Sequence, residues 1–273
     1  MKLISICPSN TEIVAYLGLT STLIGVDNYS DWPESVQSLP RLGPDLNIDM
    51  DQVEKLDPDL VLASLSVPGM ERNIEEMKKR NIPYIIVPNP RTLTEVGEGL
   101  LFVGKATNTE EKAKRLYKKY NIILENYRLL ARQVQKPKTL YWEWWAKPIF
   151  TPGATNWLTE ISELAGGINV FQDKAEASVQ TDWEEVKKRN PDVMCIVWVG
   201  VQKEKVNPKV ILKRPDSEQM NAIKNDCLYI LEEPLFCRPS PRLLLGLTKI
   251  ASILHPNLFP PYKEGIDFFL VEE

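Results

Sequence analysis

Short apolar segments alternate along the chain with longer segments of helical periodicity, and this alternation restricts the fold more than any other feature. The apolar segments are rich in β-forming residues and lie at 3–7, 24–27, 60–63, 84–87, 139–143, 193–198 and 228–231. Continuous apolar runs of this length, separated by helices, are typical of parallel strands covered on both faces. The sequence therefore predicts an α/β fold with parallel sheets.

Several predicted helices begin with the spacing of a capping box, in which a polar side chain is followed three residues later by Glu. The four pairs are Ser9 with Glu12, Thr92 with Glu95, Asn108 with Glu111, and Thr181 with Glu184. Ser240-Pro241 predicts a fifth start, because proline at the first helical position lacks only an N–H that would have no intrahelical partner there.

The segment 109–134 contains neither glycine nor proline. Its apolar side chains recur three and four positions apart, which places them on one stripe of a helix. At 1.5 Å per residue this helix would be roughly 39 Å long. We predict that a helical segment at 108–136 joins an N-terminal α/β lobe at 1–107 to a C-terminal α/β lobe at 137–273.

Two segments on either side of this helix resemble each other. The sequence VEKLDPDLV at 53–61 corresponds to VKKRNPDVM at 186–194, and each reads as a helix end, a turn with Pro-Asp, and a strand. The correspondence favours two similar lobes, although such a turn is also a general feature of α/β proteins. Ligands in open α/β sheets bind at the carboxyl ends of strands, so we expect a ligand cleft between the lobes.

Composition excludes several classes of protein. The net charge of −4 disfavours binding to nucleic acid or to anionic membranes, and no apolar run approaches the ~20 residues that span a bilayer. The first apolar stretch ends at Pro8 and is too short for a signal peptide, which predicts a cytoplasmic protein. A periplasmic or cell-surface protein whose leader was removed is the alternative. The four cysteines show no metal-binding spacing, so we expect free thiols, no metal site and a monomer.

Aromatic residues follow several predicted strands, where they would line the cleft. They are Tyr29, Trp32, Trp142, Trp144, Trp145, Trp198 and Phe236. Aromatic side chains supply a large contact area at low entropic cost. Trp142 fits the core as well as the cleft. Neighbours on an extended chain point in opposite directions, so at least one of Trp144 and Trp145 should be exposed, whereas Trp157 and Trp183 fit the core better.

Catalysis has little support in the sequence. His255 is the one histidine and follows a leucine-rich helix, and the chain has no nucleophile elbow, phosphate loop or zinc-protease motif. A small hydrolase using a carboxylate pair, such as Asp31 with Glu143, is the enzymatic alternative. We expect a non-catalytic protein.

Several segments, in order along the chain, resemble the periplasmic-binding-protein-like family with a helical backbone. They are ICPSNTE at 6–12, NYSDWP at 28–33, LDPDLV at 56–61, FTPG at 150–153, ELAGGINVF at 163–171 and LFCRPSPR at 235–242. The family includes vitamin B12-binding proteins and receptors for iron siderophores and haem. The resemblance implies two lobes joined by the long helix, capture of a ligand without chemistry, and service to an ABC-type uptake system or a cytoplasmic relative of one.

Within the family, NYSDWP and LFCRPSPR look most like the cobalamin-binding branch. This implies a corrinoid ligand, with a ferric siderophore or haem as the alternative and no intrinsic cofactor. The implied ligand-binding residues are Tyr29, Trp32, Ser64, Leu65, Ser66, Trp144, Trp145, Trp198, Phe236 and Arg238.

The resemblance also implies a surface that docks an ABC permease, through Glu71 and Arg72. The corresponding position in the second lobe holds Cys237 where a glutamate is usual, with Glu232 and Glu233 nearby. The family's aromatic residue after the second strand is replaced here by Leu65 or Ser66.

Overall fold

The computed structural model describes residues 1–270, which divide into two compact units. The N-terminal unit comprises Met1–Pro90, Thr94–Asn121 and Pro239–Pro241, and the C-terminal unit comprises Arg91–Leu93, Ile122–Arg238 and the described residues from Arg242. Residues 271–273, the end of the predicted C-terminal lobe, lie outside the described residues. The division between the two units falls inside the long helix, after Asn121. The predicted limits of the two lobes stay predictions.

The N-terminal unit alternates strands with helices, as the sequence predicts. Its elements are β1 (Leu3–Ser5), α1 (Pro8–Tyr16), β2 (Leu23–Val26), α2 (Met50–Leu56), β3 (Leu60–Ala63), α3 (Glu71–Lys79), β4 (Tyr84–Ile86) and α4 (Leu93–Ala106). The four strands form a parallel sheet in the order β2-β1-β3-β4. Ile4, Val61 and Met77 lie in the buried core beside this sheet.

The long helix α5 runs from Glu110 to Ala131 and is four residues shorter than the predicted segment 109–134, because it starts one residue later and stops three residues earlier. Ala113, Tyr120, Leu124 and Tyr127 are buried on the predicted apolar stripe. A turn at 132–134 closes the helix, so the apolar pattern extends past the last helical residue.

The C-terminal unit contains a second parallel sheet and a small antiparallel one. Its elements are β5 (Lys138–Glu143), β6 (Trp145–Ala146), β7 (Ile149–Pro152), α6 (Trp157–Leu164), β8 (Gly167–Asn169), β9 (Ser178–Thr181), α7 (Trp183–Arg189), β10 (Val193–Ile196), α8 (Lys209–Leu212), α9 (Asn221–Lys224), β11 (Leu228–Ile230) and α10 (Leu243–Leu254). The parallel sheet has the order β11-β10-β5-β8, and the antiparallel sheet has the order β6-β7-β9.

The two parallel sheets share one topology. In each unit the first strand lies between the second and the third of that sheet, and the fourth strand lies outside the third. The resembling segments occupy matching places: Asp57 caps the end of α2 and Asn190 caps the end of α7, and both residues adopt the left-handed conformation, with φ of 50° and 41°. The prediction of an α/β fold with two similar parallel-sheet lobes is confirmed.

Four of the five predicted helix starts are displaced by one or two positions, whereas Thr92 directly precedes α4, as predicted. Cys7 precedes α1, so Ser9 lies inside the helix, and the Asp182 carboxylate rather than Thr181 accepts from the N–H of Glu185 at the start of α7. Asn108 has a positive φ of 57° and lies before the start of α5. At α1 the proline at the first helical position determines where the helix starts, and at α7 the Asp182 carboxylate is a stronger acceptor than the Thr181 hydroxyl. Both effects outweigh the capping-box spacing. Helix α10 begins at Leu243, after Pro241.

Candidate functional site

The loop after β2 is held by the buried carboxylate of Asp27. One oxygen accepts from the backbone N–H groups of Tyr29 (2.7 Å) and Ser30 (3.0 Å), and the other accepts from the Ser30 hydroxyl (2.5 Å). Burial raises the pKa of this carboxyl, and the hydrogen bonds only partly oppose that effect. The hydrogen bonds to Asp27 therefore fix the aromatic loop at 29–32.

The two predicted aromatic residues of this loop differ in exposure. Tyr29 is 51% exposed and free to meet a ligand. Trp32 is half-buried, with its ring centroid 5.2 Å from that of Tyr16. Most of the Trp32 ring thus packs on the unit itself.

The loop after β3 carries Ser64, Leu65 and Ser66. Ser64 is buried, and its hydroxyl lies 3.0 Å from the Ser66 hydroxyl and accepts from the Ser66 N–H at 3.1 Å. Leu65 is exposed. The two serines line a narrow cavity together with Ser9, Asn10 and Asn89 and with apolar side chains that include Ile13 and Val96. Its volume of about 20 Å³ leaves room for a water molecule and little more.

An aromatic groove lies on the C-terminal unit. It is an open depression of about 350 Å³ lined by Trp144, Trp145, Phe150, Ser178 and Val199. The antiparallel sheet builds it: Trp145 pairs with Phe150 across β6 and β7, and β9 supplies Ser178. The sequence predicted the two tryptophans as ligand contacts but not Phe150, Ser178 or Val199. The strand pairing that brings Phe150 and Ser178 to the groove could not be recognised, because β6 is short and β9 is mostly polar.

Backbone hydrogen bonds join the walls of the aromatic groove. The Trp144 N–H donates to the Phe150 carbonyl at 3.1 Å, and the Val199 N–H donates to the Trp144 carbonyl at 3.0 Å. Trp145 is 46% exposed, whereas Trp144 is half-buried and meets Trp157 edge to face at 6.4 Å. The expectation that at least one of the two adjacent tryptophans is exposed is confirmed.

The remaining predicted ligand-binding residues of this unit lie at different depths. Trp198 is half-buried, and its indole N–H donates to Glu143 at 3.2 Å. Arg238 is half-buried and donates through Nε to Glu233 at 3.0 Å. Phe236 is wholly buried, with its ring 5.5 Å from that of Trp142. Phe236 therefore belongs to the core in this structure and exposes no surface, and its role in ligand binding stays a prediction.

Glu143 is the most heavily hydrogen-bonded carboxylate near the groove. It is fully buried, and each of its oxygens accepts two hydrogen bonds, from Tyr141, Trp198 and Arg214. Such a carboxylate has no free lone pair with which to accept a proton. Asp31, its supposed partner, is exposed. His255 follows α10, as expected, and lies 2.9 Å from the Gly166 carbonyl. The carboxylate-pair mechanism therefore loses its support.

The predicted docking residues lie at the start of α3. Glu71 and Arg72 are exposed, and the Glu71 carboxylate accepts from the Gly69 N–H at 2.8 Å.

The glutamates near Cys237 are engaged elsewhere in the C-terminal unit. Glu232 accepts from Lys203 (2.8 Å) and Lys249 (2.6 Å), and the buried Glu233 accepts from Arg238. Neither is presented for docking in the way that Glu71 is.

Within residues 1–270, no group of three or more His, Cys, Asp or Glu side chains is arranged to hold a metal ion. In the same part of the chain, none of the helices combines the length and the apolar character that crossing a membrane requires. All four cysteines are free thiols, as expected.

A family model described as periplasmic binding protein matches residues 3–235. The chain belongs to this family. Its members bind ligands and catalyse no reaction, which confirms the expectation of a non-catalytic protein and the resemblance seen in the sequence.

Similar proteins extend over nearly the whole chain. It is 30% identical over 267 residues to an uncharacterized ABC transporter substrate-binding lipoprotein, YvrC, of Bacillus subtilis, with 94% of this chain and 81% of the relative covered. It is 26% identical over 250 residues to a vitamin B12-binding protein of Vibrio vulnificus, with coverage of 91% and 88%.

Solved structures show the same fold. The periplasmic heme-binding protein RhuT from Roseiflexus sp. RS-1 matches with a TM-score of 0.82 at 21% identity, covering 93% of this chain and 98% of that one.

Proposed function

We propose that this protein binds a corrinoid and is the substrate-binding component of an ABC-type uptake system, acting in the periplasm or at the cell surface. The observation that carries the proposal is the aromatic groove of the C-terminal unit, in a family of ligand-binding proteins. Relatives named as a vitamin B12-binding protein and as a transporter-associated lipoprotein support the ligand and the location. The predicted cytoplasmic location has no such support.

The groove has the chemistry that a flat macrocycle needs. Four of its five lining residues are aromatic or apolar, namely Trp144, Trp145, Phe150 and Val199. Ring faces give a large contact area without many rotatable bonds, and the exposed indole of Trp145 is already oriented by its N–H bond to the Lys147 carbonyl at 3.2 Å. Shape and dispersion, rather than charge, would dominate binding here.

The alternative ligand is a ferric siderophore or haem, suggested by the fold shared with a heme-binding protein. Proteins hold haem iron through an axial His, Met, Cys or Tyr. The five groove residues offer none of these side chains, although the exposed Tyr29 of the N-terminal unit is one. A corrinoid or a siderophore carries its own metal ligands, so the groove favours those two classes over haem.

The N-terminal unit supplies a second set of proposed contacts. Tyr29 and Leu65 present exposed side chains, while Ser64 and Ser66 line the narrow cavity. In a cavity of this size the two hydroxyl groups would reach a ligand through a bridging water molecule. Trp32 and Arg238 remain proposed contacts through their exposed portions.

Ligand identity can be tested by thermal unfolding and absorption titration with cyanocobalamin, haem and a ferric hydroxamate siderophore. A ligand that binds the folded state alone raises the melting temperature, and the stabilisation grows with the logarithm of its concentration relative to Kd. We expect a rise with cyanocobalamin that the Trp145→Ala variant loses. A rise confined to haem or the siderophore would replace the corrinoid, and no rise with any of the three would contradict the proposal.

Docking to a permease can be tested through Glu71 and Arg72. The exposed Glu71 carboxylate can pair with a cation on a partner, and charges of this kind steer encounter and register. We expect the protein to capture a permease from detergent-solubilised membranes, and the Glu71→Gln variant to capture much less. Glu75→Gln, an exposed change on the same helix, is the matched control. Equal capture by both variants would remove Glu71 from the docking surface.

A further inference from the structure

The buried carboxylate of Glu143 is placed where it can control the aromatic groove. Glu143 is the last residue of β5, and the next two residues, Trp144 and Trp145, line the groove. It is fully buried, yet it touches none of the open surface of the depression. A charge in such a position has to be compensated from within the protein.

Four hydrogen bonds compensate it. Arg214 donates Nη1 to Oε2 at 2.6 Å and Nη2 to Oε1 at 2.8 Å, which is the bidentate geometry of a guanidinium on a carboxylate. The Tyr141 hydroxyl donates to Oε2 at 2.8 Å, and the Trp198 indole N–H donates to Oε1 at 3.2 Å. The acceptor capacity of the carboxylate is filled.

These bonds attach the segment that follows β10 to the end of β5. Trp198 and Arg214 stand near the two ends of that segment, and both reach the same carboxylate. The backbone adds the Val197 N–H, which donates to the Glu143 carbonyl at 2.9 Å. Val199, which lines the groove, is therefore fixed by two hydrogen bonds. One is the Trp198 side-chain bond to Glu143, and the other joins its own backbone N–H to the Trp144 carbonyl.

We propose that Glu143 and Arg214 are positioning residues for ligand binding: they hold Trp198 and Val199 against Trp144 so that the aromatic groove is preformed. The ligand in this proposal rests on the proposed function, whereas the geometry of the groove does not. A buried ion pair is seldom more stabilising than apolar side chains of similar volume, whereas it fixes one arrangement of its partners. Preformed sites bind more tightly because less ordering is required on binding.

A second arginine in the same unit provides a matched control. Arg189 donates two bonds to Asp173, at 2.6 and 3.0 Å, and its guanidinium lies 4.3 Å from the centre of the Phe171 ring. Arg214 likewise lies 5.0 Å from the centre of the Trp183 ring. None of the residues that Arg189 contacts lines the groove. Arg214→Lys and Arg189→Lys therefore make equivalent changes, of which one acts on the groove.

The experiment combines a ligand-independent measurement with an affinity. The protein is labelled with ¹⁵N at the tryptophan indoles, and the signals of Trp144, Trp145 and Trp198 are recorded with their rates of hydrogen exchange. We expect Glu143→Gln and Arg214→Lys to shift these signals and to speed exchange at Trp198 at least tenfold. Cyanocobalamin affinity should fall at least tenfold. Arg189→Lys should change neither, even where it lowers the melting temperature.

The outcomes separate this proposal from the proposed function. If the wild-type protein binds no corrinoid, the corrinoid assignment fails, while the indole signals still decide whether Glu143 positions the groove. Folded Glu143→Gln with wild-type indole signals and exchange would overturn the positioning role. Should that variant not fold, Tyr141→Phe removes one bond and leaves the ion pair. Unchanged Trp198 exchange in both Tyr141→Phe and Arg214→Lys would then contradict the proposal.

Discussion

Asp59 and Asp192 accept equivalent hydrogen bonds in the two units. The Asp59 carboxylate accepts from the Lys2 N–H at 2.6 Å, just before β1, and the Asp192 carboxylate accepts from the Thr139 N–H at 3.0 Å, within β5. Each aspartate follows the proline of the Pro-Asp turn, and each reaches the strand that lies second from one side of its parallel sheet. The resemblance between 53–61 and 186–194 thus has a physical reason.

Replacing Asp192 by Ala should destabilise the C-terminal unit. The carboxylate also accepts from the Thr139 hydroxyl at 2.8 Å, so two donors would lose their partner. We expect a loss of about 1–3 kcal/mol in the free energy of unfolding, measured in urea. Asp59→Ala should cost less, because Asp59 is more exposed. An equal or larger loss in Asp59→Ala would contradict this ranking.

Asp27 should make stability depend on pH in one direction. Burial raises the pKa of its carboxyl from the ordinary 3.8, so the folded protein holds this proton more tightly than the unfolded chain does. The stabilisation is complete below the unfolded pKa and is lost as the pH rises through the folded pKa. As the pH is raised from 4 to 7, the free energy of unfolding of Asp27→Asn should therefore increase relative to that of the wild type.

Urea unfolding at several pH values checks the Asp27 prediction. Asp45 also has a pKa raised by burial and titrates in the same direction, so the difference between variant and wild type, rather than either curve alone, is the quantity to compare. A difference that does not change with pH would count against the role of Asp27.

Two tryptophans three positions apart should respond oppositely to truncation. Trp142 is fully buried and donates its indole N–H to the Ser162 hydroxyl at 2.8 Å, so Trp142→Ala should cost about 3–5 kcal/mol of stability. Trp145 is 46% exposed, so Trp145→Ala should leave the melting temperature nearly unchanged and weaken ligand binding. Thermal unfolding of the two variants, compared with corrinoid titration, distinguishes core from groove.

Thiol reactivity should follow burial. Cys7 and Cys195 are buried, and burial raises the pKa of both thiols, which suppresses the reactive thiolate. Cys227 is partly exposed. Under native conditions at pH 8, an alkylating reagent should modify Cys227 first, and mass spectrometry should find Cys7 and Cys195 labelled only after unfolding. Early labelling of Cys195 would show that its strand opens readily.

Seven of the eight strands of the two parallel sheets could be predicted because each one is a short apolar run, and 60–63 matches β3 at both ends. The eighth, β8, was not predicted, because its sequence Gly-Ile-Asn has a single apolar side chain. Periodicity also identified α5. The antiparallel sheet escaped detection because β6 has two residues and because three of the four residues of β9, at Ser178–Thr181, are polar.

The candidate site was less predictable than the fold. Exposure of Trp145 followed from its neighbour on an extended chain, whereas burial of Phe236 depends on packing against Trp142, 94 positions earlier in the sequence. The Glu143–Arg214 pair joins residues 71 positions apart. No local pattern reveals a partner at that distance.

The N-terminal unit is not complete until the chain is almost finished. Buried Glu12 in α1 accepts a hydrogen bond from the buried Ser240 hydroxyl, 228 positions later. At ~5–20 residues per second, a ribosome needs roughly 10–45 s to produce that partner after Glu12 itself. During synthesis the first sheet can assemble early, but the hydrogen bond between Glu12 and Ser240 forms last. A chain that stops before Ser240 leaves the ribosome without this bond.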